Sequence, residues 1–170
     1  MSEARPAAVA FEGVNPILRV ENINAAVDHY TRVLGFKLDW QGPGSFRSVS
    51  RGRCHLFLCQ GDQGHPGAWV WIGVEDADAL LEEYRRTGAK IRHQPTNYPW
   101  AYEMQVEDID GNVLRLGSER KENEPPGEWL DLHGRRWISQ PEGGYKCLDG
   151  RPGRPKARFP NQGASSGGII

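Results

Sequence analysis

Cysteine is scarce in this 170-residue sequence, which contains only Cys54, Cys59 and Cys147. Three cysteines at these spacings predict neither a disulfide framework nor a zinc ribbon, so a reducing cytoplasm is the expected location. No apolar run approaches the roughly 20 residues of a membrane-spanning helix, and the first residues lack the apolar stretch of a signal peptide. Positive and negative charges nearly balance, because the sequence has 21 Lys and Arg and 22 Asp and Glu. We therefore expect no membrane partner and no general affinity for nucleic acid.

Charge and composition both change near Glu119. Residues 1–119 hold 12 basic and 16 acidic residues, a net charge of −4, whereas residues 120–170 hold 9 and 6, a net charge of +3. The second stretch also contains 9 Gly and 6 Pro. We predict an arm at residues 1–12, a compact domain at 13–119, and a Pro/Gly-rich, irregular extension at 120–170 that docks in part and ends in disorder. Within the extension we expect a short helix at 127–132 and a solvated basic tail at 151–158.

The compact domain contains an internal repeat with an offset of 54 residues. Residues 20–30 (VENINAAVDHY) align with residues 74–84 (VEDADALLEEY). In each copy a strand-like run comes first, an Asn or Asp then caps a helix with apolar residues at helical spacing, and Gly35 or Gly88 ends it. Three strand-like runs follow each helix. The sequence therefore predicts an α+β fold with two βαβββ modules, at about 14–60 and 68–119, forming a curved, cup-like mixed sheet.

Aromatic side chains are expected on the open face of this sheet. The residues that alternate with Trp69 and Trp71 are apolar and fit under the second helix, so the two indoles face the other way. One interpretation is core packing or a dimer contact, and the other is a wall on which a flat ligand stacks. Under the second interpretation, the candidate ligand-binding residues are Phe57, Trp69, Trp71, Trp100, Tyr102 and Glu103.

These features together resemble the vicinal oxygen chelate superfamily, which contains glyoxalase I, fosfomycin-resistance enzymes, extradiol dioxygenases and bleomycin-resistance proteins. The resemblance is carried by the paired modules, the ILRV…Y…LGF pattern of residues 17–36 and the VEDIDGNVLRL ending at 106–116. It covers about residues 13–119. The stretches AWVW at 68–71 and PW at 99–100, followed by Glu103, are most similar to the bleomycin-resistance proteins. That resemblance implies a metal-free homodimer that binds a drug in clefts between subunits without changing it covalently.

The resemblance also implies where a metal would be held in the members that use one. Those members carry His, Gln or Glu at four places, which fall here on Asn15, Phe57, Trp69 and Arg115. Aromatic rings offer no donor atom to the ion, arginine is a fixed cation, and asparagine is a weak ligand for transition metals. The sequence therefore favours a protein with no metal, no cofactor and no catalytic residues.

The leading hypothesis is a metal-independent, drug-sequestering homodimer, with a cationic glycopeptide of the bleomycin kind as the specific ligand. An acidic domain attracts cations, and aromatic rings bind flat and cationic groups. Two alternatives stay open: a metal-dependent lyase, isomerase or dioxygenase of the same superfamily with a displaced metal site, and a protein-interaction module. Arg19 and Arg115 are also expected on the cup and would suit an anionic ligand, unless acids such as Glu103 pair with them.

Overall fold

A computed structural model describes residues 13–42, 44–130, 133–140 and 144–149. The predicted arm at 1–12, the basic tail at 151–158 and the chain end lie outside these residues. No helix within the described ranges combines the length and the apolar character needed to cross a bilayer.

The first module has one helix packed on one sheet. Its elements are β1 (Ile17–Arg19), α1 (Ile23–Arg32), β2 (Lys37–Gln41), β3 (Phe46–Arg51) and β4 (Cys54–Cys59). Asn22 caps the helix, because its side-chain oxygen accepts hydrogen bonds from the amides of Asn24 and Ala25 at 3.0 Å. The strands form sheet one in the order β1-β4-β3-β2, with β1 parallel to β4 and the other neighbours antiparallel.

The second module repeats this plan. Its elements are β5 (Trp69–Gly73), α2 (Ala77–Thr87), β6 (Lys90–Asn97), β7 (Tyr102–Glu107) and β8 (Val113–Ser118). Asp76 caps the helix, and Gly88 ends it in the left-handed conformation with φ of 78°. Sheet two has the order β5-β8-β7-β6, with β5 parallel to β8. The predicted α+β class and the repeated βαβββ order are confirmed, with the refinement that each module keeps its own four-stranded sheet.

One hydrophobic core lies on the helix side of both sheets. It combines Leu56 and Tyr30 of the first module with Leu81 and Leu116 of the second. Polar contacts join the modules at the helix ends: Tyr84 Oη donates to the carbonyl oxygen of Leu34 at 3.2 Å. The side of each sheet turned away from its helix is called its open face below. No hydrogen bond or ring contact between described residues joins the two open faces.

The extension is more regular than the sequence predicts. Its described part contains β9 (Trp129–Leu130), β10 (Arg136–Ser139) and β11 (Tyr145–Cys147), which form an antiparallel sheet in the order β11-β10-β9. We call this the C-terminal sheet. The short helix expected at 127–132 is wrong for residues 129 and 130, which pair with β10 instead. The aromatic side chain of Trp129 favours a strand, and the proline pair before it does not impose a helix.

Candidate functional site

The open face of sheet two carries aromatic and charged side chains. Strand pairing places Trp71 opposite Arg115, and Arg115 opposite Gln105. The residues that alternate with them, such as Leu114, are buried in the core. Trp69 and Trp71 are each 54% exposed. The structure therefore places both indoles on the face that the sequence alternation predicts.

A buried carboxylate occupies the centre of this face. Glu103 is 1% exposed, and its two oxygens accept hydrogen bonds from Nε and Nη2 of Arg115 at 2.7 and 3.0 Å. Its Oε2 also accepts from Nε1 of Trp71 at 3.1 Å and lies 3.4 Å from Nε1 of Trp100. The guanidinium and the indole N–H groups offset the cost of burying the charge. Glu103 thereby orients two of the exposed indoles, and Arg115 is a paired rather than a free cation.

Neighbouring residues shape the surface around the two indoles of β5. The ring of Trp71 lies against β8, where a methyl group added at Gly117 would come within 3.0 Å of it. The guanidinium of Arg92 lies 5.4 Å from the ring centroid of Trp69. Arg92 starts from β6, the opposite edge strand, and also donates to Glu107 at 3.0 Å. A side chain that reaches from one edge strand to the other indicates a strongly curved, cupped sheet.

Trp100, which precedes β7 in the chain, extends the aromatic surface. Its ring is 48% exposed and stacks on that of Tyr98, with centroids 5.1 Å apart and planes inclined by 3°. Tyr98 is buried, and burial is the main reason why the pKa of its phenol is raised. Trp100 is thus a half-exposed ring held between a buried ring and the Glu103 carboxylate.

Tyr102 lies on the other side of sheet two. Its ring is buried, its Oη donates to Asp78 of α2 at 2.7 Å, and Nζ of Lys121 lies 4.2 Å from the ring centroid. Adjacent residues of a strand point to opposite faces, so Glu103 on the open face excludes Tyr102 from it. The structure therefore does not bring Tyr102 together with the other candidate residues of this module.

Phe57 belongs to an aromatic cluster on the open face of sheet one. Its ring centroid lies 5.3 Å from that of Phe46 and 5.8 Å from that of Trp40, which is 46% exposed. The register of β2 against β3 shifts between Leu38 and Trp40. This bulge turns both Asp39 and Trp40 toward the open face, although they are adjacent in the chain.

A polar cluster adjoins these rings. Asp39 accepts hydrogen bonds from the hydroxyls of Ser48 and Ser50 at 3.1 and 2.5 Å. Nδ1 of His55 lies 3.4 Å from the same carboxylate. The hydrogen bond from Ser50 is the largest cause of the lowered pKa of Asp39. The face of sheet one therefore presents a carboxylate held in its charged form beside three aromatic rings.

The four positions where the family resemblance implies metal ligands do not fit a metal ion. Asn15 is exposed before β1, Phe57 lies within the ring cluster, Trp69 lies under Arg92, and Arg115 is bound to Glu103. Within the described ranges, no three His, Cys, Asp or Glu side chains converge as potential metal ligands.

Sequence reasoning missed several residues that the structure brings to these surfaces. Trp40 and Asp39 reach the open face through a bulge, which has no reliable sequence signal. Phe46 alternates with Ser48 and Ser50 on β3, so its face could be inferred from strand periodicity. Trp129 contacts the site through an extension for which the repeat provides no template.

Comparison with known proteins agrees with this architecture. A profile described as the Glyoxalase/Bleomycin resistance protein/Dioxygenase superfamily matches residues 11–116. The bleomycin-binding protein from Streptomyces verticillus, solved with copper(II)-bleomycin, is 28% identical, with a TM-score of 0.57 over 66% of this chain and 100% of that one. TnmS3, an antibiotic binding protein from Streptomyces sp. CB03234, is 23% identical, with a TM-score of 0.59 over 66% and 99%. TioX from Micromonospora sp. ML1 is 20% identical, with a TM-score of 0.56 over 66% and 100%.

No curated relative matches the sequence. The profile match nevertheless spans more than half of the chain, and it coincides with the two modules. The solved neighbours share the same modules over almost their entire lengths. The chain therefore belongs to the glyoxalase/bleomycin resistance protein/dioxygenase superfamily.

Proposed function

We propose that this protein is a metal-independent binding protein that sequesters a small molecule with flat aromatic groups. Bleomycin is the first ligand to test. The observation that carries the proposal is the Glu103 network, which holds Trp71 and Trp100 half-exposed around a neutralised ion pair. Preoriented rings lose little entropy when a flat group stacks on them. Glu103 directs its hydrogen bonds to Arg115 and the two indoles, which suits a residue that positions rings rather than one that reacts with a ligand.

The similarity to the bleomycin-binding protein supports this ligand class, because that relative is 28% identical and is matched along its whole length. On the open face of sheet one, the charge of Asp39 supports a cationic ligand. Arg115 is neutralised by Glu103, and Asp39 on the open face of sheet one is held as an anion. Trp40 beside Asp39 adds a ring face that also attracts cations.

The proposal includes a homodimer. Each open face exposes large aromatic rings, with Trp40 on sheet one and Trp69 and Trp71 on sheet two. Since no described contact joins these faces within the chain, a second copy is the simplest way to place one opposite the other. A cleft between sheet one of one subunit and sheet two of its partner would enclose a flat ligand from both sides. Sedimentation at ligand-binding concentrations is expected to give the mass of two chains.

Alanine substitutions test the ligand surface. Trp71→Ala and Trp100→Ala should each weaken the binding of metal-free bleomycin about tenfold, because each removes a stacking ring. Ile109→Ala is the matched control, since Ile109 is 54% exposed like Trp71 but lies in the turn before β8. Unchanged affinity in both tryptophan variants, with the fold intact, would reject the assigned surface.

Recovery of the ligand separates sequestration from catalysis. After prolonged incubation with chelator-treated protein and subsequent denaturation, the drug should be recovered at its original mass. A product of different mass would instead support an enzyme of the same superfamily.

A further inference from the structure

The C-terminal sheet has one aromatic face. Strand pairing places Trp137 opposite both Trp129 and Cys147, and Tyr145 opposite Ser139. Directly opposed residues project to the same side of an antiparallel sheet. Trp129, Trp137 and Tyr145 therefore share a face, whereas Leu130 projects from the other.

Ring contacts connect this face to the candidate site. The Trp129 ring stands edge-on to Trp100, with centroids 5.5 Å apart and planes at 78°. It also stands edge-on to Tyr98 at 6.4 Å and to Tyr145 at 5.4 Å. Trp100 in turn reaches the Glu103 carboxylate. The aromatic surface is thus continuous from sheet two to the C-terminal sheet and ends at Tyr145, which is 44% exposed.

The start of the extension is fixed to sheet two. The buried side chain of Asn97 donates to the carbonyl oxygens of Lys121 and Glu124 at 2.9 and 2.8 Å and accepts from the amide of Lys121 at 3.1 Å. Gly127 lies so close to Thr96 that an added methyl group would overlap it. These contacts hold the strand that carries Trp129 beside Trp100. The aromatic surface is therefore preformed rather than assembled by the ligand.

The extension lies beyond the part of the chain that matches the family profile. Each of the three neighbours is matched over 99% or 100% of its own length by about two thirds of this chain, and the family profile ends at residue 116. The C-terminal sheet is therefore an addition to the two-module fold. Its contact with Trp100 places the addition at the margin of the proposed ligand surface.

We propose that the C-terminal sheet forms a second wall of the ligand site, which binds a flat ring system at one end of an elongated small molecule. The other end of the molecule lies on the open face of sheet two. This inference rests on the proposed function and specifies its ligand class, a molecule with two separated flat groups. An open groove of about 560 Å³ lies beside Trp100 and is lined by Glu119, Arg120 and Glu122.

Substitutions at Tyr145 test the second wall. The full-length protein is titrated with two probes, metal-free bleomycin and the flat cationic dye thioflavin T. Tyr145→Leu, which keeps an apolar side chain but removes the ring, should weaken binding of bleomycin about threefold to tenfold. Tyr145→Phe should bind as the wild type does, because the ring is retained. Leu130→Ala on the opposite face is the control and should also leave affinity unchanged.

A second readout uses the unaltered protein, so that it does not depend on the folding of a variant. Nuclear magnetic resonance should show shifts of the Tyr145 ring protons when either probe is added. One result would overturn the second wall alone: bleomycin binds and Trp71→Ala weakens the binding, but Tyr145→Leu leaves the affinity unchanged and the Tyr145 ring protons do not shift. Dye binding that depends on Tyr145, without bleomycin binding, would uphold the second wall and reject bleomycin as ligand. Binding of neither probe would overturn both proposals.

Discussion

Glu103 and Arg115 form a two-point ion pair at the centre of the open face of sheet two, with N–O distances of 2.7 and 3.0 Å. The carboxylate side chain is 1% exposed and that of the arginine 33%. The sequence leaves open whether Arg115 pairs with a neighbouring acid or binds an anionic ligand. In the structure its charge is neutralised by Glu103. The pair also neutralises the centre of the face, between the indoles of Trp71 and Trp100.

The ion pair gives the first prediction. Glu103→Gln should destabilise the fold by about 1–3 kcal/mol, since Arg115 then keeps its charge without its partner. The double variant with Arg115→Met should be more stable than the sum of the single effects predicts, because no unpaired charge remains. Urea unfolding of the four proteins measures the coupling. Strictly additive effects would contradict the described pairing.

The second prediction concerns the contact between the modules. Tyr30 Oη donates to Oδ2 of Asp108 at 2.9 Å, and both side chains are buried. Tyr30→Phe removes this donor and should lower the free energy of unfolding by about 1–3 kcal/mol. Tyr145→Phe, which alters an exposed phenol, should change it by less than about 0.5 kcal/mol. Equal effects of the two substitutions in urea unfolding would refute the role of the buried contact.

The third prediction concerns the effect of the Tyr30 phenol on stability at alkaline pH. Burial, and next to it the Asp108 carboxylate, raise the pKa of Tyr30 well above its ordinary value of 10.0. The unfolded chain therefore loses this proton first, so the wild type should lose stability as the pH rises above about 10. Tyr30→Phe should show a smaller loss over that range. Parallel stability curves for the two proteins between pH 9 and about 11 would disprove this explanation.

The fourth prediction concerns Asp39, whose contribution to stability should be lost as the pH falls rather than as it rises. Hydrogen bonds from Ser50 and Ser48, with His55 nearby, lower its pKa below the ordinary value of 3.8. Its contribution to stability is thus present above about pH 4 and is lost as the pH falls through the folded-state pKa. Asp39→Asn should be less sensitive to acid than the wild type between about pH 4 and 2. Thermal unfolding across that range measures the difference, with Asp28→Asn on the surface of α1 as control.

The repeat explains why so much of the fold could be predicted. Asn22 and Asp76 occupy equivalent positions before two helices, and each caps its helix as the sequence suggests. Local capping and a recurring pattern require no knowledge of distant contacts. The C-terminal sheet has no counterpart in the repeat, so its strands could not be read by analogy.

The candidate site was predicted less completely. Trp69 and Trp71 follow from strand alternation, and the structure puts both on the open face. Tyr102 and Glu103 are neighbours in a regularly paired strand, so they project to opposite faces. The available signal was that Tyr102 lies two residues from the apolar Met104 and therefore shares its face. Asp108 has the sequence context of an ordinary turn residue, yet its buried carboxylate accepts a hydrogen bond from Tyr30, which lies 78 residues away.

The most direct test of the central proposal is a calorimetric titration of chelator-treated wild-type protein with metal-free bleomycin. The proposed function predicts a dissociation constant of about 1 µM or tighter, near one drug molecule per chain, since several rings stack at once. Absence of binding heat at all temperatures tested, up to about 1 mM drug, would contradict sequestration of bleomycin.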